Sequence, residues 1–282
     1  MLIDVEGTQE SVEVKEVMEY SLKKHPVLTV YNNKLYRAEG IAIEEHYQLI
    51  FIADWERKCI QVLTFEGNFV TSFGRSILRN PNGIAVTKDY LLITDTMLSA
   101  LFQFSDYNLM RIKGPKEEKL SDPYGLCIDY NGEVYVADYG NNRVSIFSQE
   151  LNFKNCIGTL QLRHPKDVKV TINSIIVLDS SPKCVHIYSR SGHLLNSCVS
   201  NGRHGMVDYP SFFCIDLDGN ILISDRHRHG IQILSPSGQH IHTIARRRRR
   251  RAELELPTGI CISTLGTIFV VSNYNHSVLQ LF

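Results

Sequence analysis

PYGLCIDYNGEVYVADYGNNRVSIF, the stretch from Pro123 to Phe147, decides the fold. It opens on a Pro-x-Gly-apolar lead-in and runs as a short strand to Ile128. It then reverses over an Asn-Gly turn and returns as a second strand that ends at Asp138. Val134-Tyr135-Val136-Ala137 sits in a short apolar run bounded by turn residues, the pattern of a strand buried between neighbours. The same unit comes back five times: AEGIAI…LIFIADWERKCIQVL from Ala38, PNGIAV…LLITDTMLSALFQF from Pro81, PKDVKV…IIVLDSSPKCVHIY from Pro165, PSFFCIDLDGNILISDRHRHGIQIL from Pro210, and PTGICISTLGTIFVVSNYNHSVLQLF from Pro257. Second strands end at Asp54, Asp95, Asp138, Asp179, Asp225 and Asn273, spaced 41 to 48 residues apart. That spacing suits one four-stranded propeller blade.

Working outward, each unit gains a further strand, seen as GNFVTSFG (Gly67 to Gly74) and GHLLNSCV (Gly192 to Val199). The sixth unit stops at Phe282 without one, and a spare strand, PVLTVYN from Pro26 to Asn32, precedes the first. The sequence therefore predicts an all-β fold: a six-bladed β-propeller of four-stranded antiparallel blades, closed by the N-terminal strand pairing beside Leu279–Phe282. Closure of this kind leaves no free sheet edge at the seam. The propeller is placed at 26–282, and 1–25 is read as a lead segment, a remnant of a connection to an upstream module.

The chain has 282 residues, 43% of them hydrophobic and 21% charged, which is the composition of a folded globular protein. The acidic start MLIDVEGTQE lacks the basic and apolar regions of a signal peptide, and no run approaches the roughly 20 apolar residues of a membrane span. A cytoplasmic monomer away from membranes is expected. Seven cysteines without a CxxC pair predict reduced thiols rather than a disulfide framework or zinc knuckle. The formal net charge is zero, yet residues 1–160 hold 16 Lys/Arg against 22 Asp/Glu and residues 161–282 hold 14 against 8. So lopsided a field speaks of partners.

The Pro-x-Gly-Ile lead-in, YVADYGNNRV and the GNFV-x-x-FG outer strand resemble the NHL repeat, over about residues 26–282. The departures are Ala38 for the first proline, and Asp167 and Phe212 for glycines. The order of blades is similar to the NHL end of animal tripartite-motif (TRIM-NHL) ubiquitin ligases. This resemblance implies a non-catalytic platform that recognises a target, with RING and B-box segments outside this chain. It also implies single-stranded RNA as one class of ligand.

The strand-end residues Asp54, Asp95, Asp138, Asp179, Asp225 and Asn273 are expected to cap their turns by accepting backbone N–H groups, and Arg143 to brace Asp138. Lead-in loops and the turns after these residues must emerge on one face. There the sequence places Arg163, His164, Lys166, Lys183, Arg203, His204, Arg226, His227, Arg228 and His229, with Tyr209 and Phe212 beside them. Cations with aromatic rings suit single-stranded RNA, whereas cations alone suit any acidic protein, so both partners stay open. The run Arg246–Arg251 is expected to be a mobile loop that attracts polyanions or directs nuclear import. The alternative is a metal-dependent hydrolase or lyase working in the central channel. No HExxH, GxSxG or phosphate-cradling glycine loop is present, and His186, His240 and His242 are dispersed, so no catalytic residue, metal ligand or cofactor is assigned.

Overall fold

The computed structural model describes residues 28–31, 35–114, 120–181, 183–199, 207–245, 247–248, 251–252 and 254–281. Six four-stranded antiparallel sheets account for nearly all of them. Blade one runs through Ala38–Glu44, Leu49–Asp54, Cys59–Thr64 and Phe69–Phe73, and blades two to five repeat this order from Pro81, Pro123, Pro165 and Pro210. Blade six takes Pro257–Ile262, Ile268–Ser272 and Ser277–Leu281 from the end of the chain and Leu28–Tyr31 from its beginning. Leu28 pairs with Gln280, Thr29 with Leu279 and Tyr31 with Val278. The ring thus closes as the sequence predicts, with a bulge between Thr29 and Tyr31. The expected ends of that strand, Pro26, Val27 and Asn32, and the lead segment 1–25 lie outside the described residues. No described helix is long and apolar enough to cross a membrane.

Blades hold together because alternate residues of each strand point to opposite faces, so every sheet offers apolar side chains to both neighbours. The core is accordingly divided into six wedges, one between each pair of adjacent blades. Phe102 and Phe104 fill the wedge between blades one and two, Tyr188 that between three and four, and Phe269 that between six and one. Each such ring, fully buried, is worth about 1.5–3 kcal/mol.

Innermost strands surround the axis and touch in ring order. Each has a register shift just after its first residue, for instance between Pro81 and Ile84 and between Pro123 and Leu126. At this point neighbouring backbones meet. A Cβ on Gly40 would overlap the carbonyl of Asn82, and one on Gly83 would meet that of Tyr124. Hydroxyls on the strands tie the same seam: Thr94 Oγ1 donates to the Tyr124 carbonyl, Ser224 Oγ to that of Thr258, and Thr258 Oγ1 to that of Ala38. In blades one, two, three and six the lead-in glycine is therefore a packing requirement of the ring.

Candidate binding face

Register defines two ends of the ring. The upper face carries the lead-in loops and the turns between second and third strands, and the lower face carries the other two sets of turns. On the upper face, the strand-end aspartates are wholly buried beneath the loops. Asp95 accepts the amides of Arg79, Asn80 and Leu98 at 2.7, 2.9 and 3.0 Å. Asp179 does the same for Arg163, His164 and Ser181, and Asp225 for Asp208, Tyr209 and Arg228. Asp54 holds the amides of Tyr36 and Arg57. Their reach exceeds that of a turn cap, since each also pins the lead-in loop of its own blade. Asp138 gathers side chains as well: it takes Ser121 N, Asn141 Nδ2, Arg143 Nε and Ser145 Oγ.

Asn273 does not hold this position. Pro257 pairs with Ser272, as Pro123 pairs with Asp138, so Ser272 is the blade-six equivalent. Its hydroxyl accepts the Glu255 amide at 3.1 Å and donates to the Glu255 carbonyl at 2.9 Å. Asn273 stands one residue later, where its own amide donates to Leu256 O.

Two concentric sets of positions build the upper face. The inner set, the second residue of each innermost strand, is Glu39, Asn82, Tyr124, Lys166, Ser211 and Thr258. The outer set, one residue past each strand end, is Trp55, Thr96, Tyr139, Ser180, Arg226 and Asn273. Lys166 Nζ lies 3.9 Å from the Tyr124 ring centre and 5.6 Å from that of Tyr139. Arg226 joins Glu39 at 3.4 Å and lies 5.8 Å over the Tyr209 ring. Burial draws the Lys166 ammonium down to about 8, against the pull of Glu39 and with help from Arg226. Burial likewise raises Glu39 above the usual carboxylate range, opposed by Arg226 and Lys166. Tyr124 is pushed up to about 12 by burial, then by Tyr139 and Glu39.

Around this centre, Tyr139 packs at a tilt against Tyr124, ring centres 4.9 Å apart, and stacks on His164 at 4.8 Å, and Tyr209 stacks on His227 at 4.7 Å. Opposite them, Arg57 covers the Tyr36 ring at 4.5 Å and Arg37 covers Trp55 at 4.8 Å. Such cation–ring contacts contribute about 0.5–2 kcal/mol and hold both partners in place.

The expected basic arc is present in position but largely paired within the chain. Lys183 reaches Asp208 at 2.7 Å, His227 reaches the same carboxylate at 3.3 Å, and Arg228 lies 3.8 Å from Asp225. Lys183 and His227 hold Asp208 below the usual carboxylate range. His229 adopts a left-handed turn at φ 50 and its Nδ1 accepts the Leu256 amide, so it serves the turn. Arg163 and His164 are exposed, and Arg143 braces Asp138 at 2.9 Å. Phe212 is not on the face: at 6% exposure it packs between blades five and six, and its amide donates to Ser224 Oγ. It occupies the glycine position of its lead-in, where a side chain turns inward to the neighbouring blade. Arg203, His204, Arg246, Arg249 and Arg250 lie outside the described residues. Arg247–Arg248 pairs with Arg251–Ala252 in a short hairpin, where a loop was expected.

Sequence reasoning missed Glu39, Tyr124, Tyr139 and the Arg37–Trp55 and Arg57–Tyr36 pairs. For Glu39, Tyr124, Trp55 and Tyr139 the signal is positional: each is the second residue of an innermost strand or the residue after a strand end.

Below the mouth, the channel encloses about 360 Å³ lined by Ala42, Ala85, Cys127, Cys214 and Cys261, with Asp167 and Lys169 as its charged groups. Lys169 Nζ donates to both Asp167 oxygens at 2.8 Å, and Asp167 also accepts the Phe213 amide at 3.1 Å. Burial pushes the Cys127 thiol up to about 12, and Cys214 and Cys261 upward as well. Among the described residues no group of three or more His, Cys, Asp or Glu is arranged to hold a metal ion.

Six blades with these lead-ins, five of them with a strand-end aspartate, make a β-propeller similar to those built from NHL repeats. The NHL repeat family matches residues 120–147, the unit built around Asp138. The chain is similar to the NHL domains of TRIM-NHL proteins: it is 28% identical over 137 residues to Protein brain tumor of Drosophila melanogaster, covering 46% of this chain and 13% of that protein. It is 26% identical over 118 residues to the B-box type zinc finger protein ncl-1 of Caenorhabditis elegans, covering 39% and 13%. The chain thus matches about an eighth of each relative's length. Among solved structures, a gluconolactonase from Xanthomonas campestris superimposes with a TM-score of 0.75 at 15% identity, covering 94% of this chain and 91% of that one, a likeness of fold.

Proposed function

We propose that the chain is a binding platform whose upper face takes a protein partner, as the target-recognition part of a TRIM-NHL-like ubiquitin-ligase system. The observation that carries this reading is the pairing of the face's own charges. A surface built to follow a phosphate backbone leaves its cations free for counterion exchange. Here Lys183, Arg226 and Arg228 are each matched to a carboxylate, and Lys166 is withdrawn over Tyr124. Outward on this face are Tyr36 and Tyr209, each 44% exposed, and more fully Met97, Leu160 and Tyr274, with Arg163 exposed and Arg37, Arg57 and Trp55 beside Tyr36. Tyr, Trp and Arg on a pre-ordered surface are the residues that anchor protein interfaces.

The test is affinity capture from cells with the intact chain and with a Tyr36→Ala/Tyr209→Ala variant of unchanged melting temperature. Proteins lost with the variant are partners of this face; an unchanged set refutes the reading. Single-stranded RNA is the second reading, favoured by exposed Arg163 and the Tyr209–His227 stack. An oligonucleotide whose affinity falls with Arg163→Ala and Tyr209→Ala would make it the first. A metal ion held stoichiometrically by the purified protein would instead direct attention to the channel as a reaction site.

A further inference from the structure

The lower face has a composition of its own. The turn between first and second strands carries a large apolar side chain outward in five consecutive blades: Tyr130, Ile172, Leu217, Leu265 and Tyr47, in ring order from blade three through six to one. All five are between 70% and 92% exposed. Turns ordinarily take polar residues, and the polar requirement here is met by other members. Asp129 accepts the amides of Asn131 and Glu133, Asp216 those of Asp218 and Asn220, and Glu44 those of His46 and Tyr47. The turns are thus held by these acceptors and not by the apolar side chains, none of which enters a core wedge.

Charge on this face is equally one-sided. The lower turns of blades one to five, with Glu44 at the lower end of its strand, hold ten Asp and Glu residues against Lys88 and Arg190. Arg190 is committed to Asp129, with its guanidinium also over the Tyr130 and Tyr135 rings. Lys154 on the neighbouring outer strand neutralises Glu133. The excess remains acid, and eight of the ten acids belong to blades one to three, whereas the turns of blades four and six contribute none. The face is therefore an acidic sector with Tyr47 and Tyr130 in it, continuous with an apolar sector of Ile172, Leu217 and Leu265. Exposed apolar groups set in a ring beside unbalanced charge mark an interaction surface.

We infer that the lower face is a second docking surface, and that its occupant is a protein segment with a basic stretch next to an apolar one. Charge complementarity selects the basic stretch for blades one to three and excludes nucleic acid, and the apolar arc takes the adjoining side chains. The surface does not depend on what the upper face binds.

The test uses the intact chain and a fluorescein-labelled synthetic peptide with lysines grouped at one end and leucines at the other, read by anisotropy. The same peptide with glutamate for lysine is the control. The lysine peptide is expected to bind, to lose affinity with added salt, and to protect the 129–133 and 216–220 turns from hydrogen exchange. Leu217→Ser with Leu265→Ser is expected to raise Kd by about tenfold or more, in line with truncated interface anchors, at unchanged melting temperature because both side chains are exposed. Asp89→Asn with Asp218→Asn is expected to flatten the salt dependence. Equal binding of the glutamate peptide, a Kd insensitive to the leucine pair, or an equal loss on upper-face Tyr209→Ala would overturn the inference. Self-association of the chain that the leucine pair abolishes would also overturn it, by making a second copy the occupant.

Discussion

Asp138→Ala tests the way the blades are pinned. The carboxylate is inaccessible to solvent and receives four donors of different kinds. Asn141 is exposed and its amide turns to water at little cost, about 1 kcal/mol for a typical hydrogen bond. Ser145 is fully buried, so its hydroxyl is left without a partner, for about 1–3 kcal/mol. Arg143 is partly exposed at 19%, and losing a charge-assisted bond there costs about 1–2 kcal/mol after discounting for solvent. With the loop amide of Ser121 also released, for about 1 kcal/mol more, the total is about 4–7 kcal/mol, above the roughly 0.5–2 kcal/mol of an ordinary lost cap. Urea denaturation followed by fluorescence of Trp55 measures it, with the slope unchanged if the unfolded state is unaffected. Asp138→Asn, which keeps one acceptor, is expected to lie between. A loss under about 1 kcal/mol for the alanine variant would show that water replaces the carboxylate, and the pinning argument would fail.

Three further outcomes are expected. Lys166 is held down to about 8, so between that pH and its unfolded value of about 10.4 the unfolded chain binds more protons, and stability rises with pH; the difference in unfolding free energy between the natural chain and Lys166→Met should therefore narrow from pH 8 to 10 and stay flat below. Deleting residues 1–34 removes the strand paired with Val278–Gln280 and opens an edge, so the truncated chain should melt well below the intact one, and equal melting temperatures would contradict the closure. Gly125→Ala drives a methyl into Asp167, whose carboxylate is fixed by Lys169 and Phe213, and should cost about 1–3 kcal/mol by calorimetry.

The ring was readable because each blade repeats the same local demands: a lead-in that admits close backbones, alternating strands, an acceptor at the strand end. Where one residue departs, type misleads and register decides. Asn273 resembles aspartate chemically, but Pro257 pairs with Ser272, and a hydroxyl does the work there. Phe212 stands two residues after a lead-in proline, close to the loop, yet at the third position of its innermost strand it packs against the next blade. The charge pairs were hidden for another reason. Lys183 and Asp208 come from different blades, and Arg226 meets Glu39 across the mouth from a residue 187 positions away. Only the closed ring brings them together.

The same closure gives the charge division of the sequence its physical meaning. Among the described residues, eight of the fourteen acids before residue 160 stand at the lower face, while Arg163, Lys166, Lys183, Arg226 and Arg228 rise to the upper one. A strand that starts at one end of a blade and finishes at the other sorts its two flanking turns to opposite faces, so a compositional bias between halves becomes a bias along the axis. On the upper face the cations are absorbed by Glu39, Asp208 and Asp225, and what is left to bind is ring surface and guanidinium. On the lower face the acids outnumber their partners, and attraction at a distance survives. The two faces thus differ in how they would gather a partner: the upper by fit, with weak dependence on salt, the lower by field, with strong dependence. Measuring both affinities at two ionic strengths separates them without any mutation.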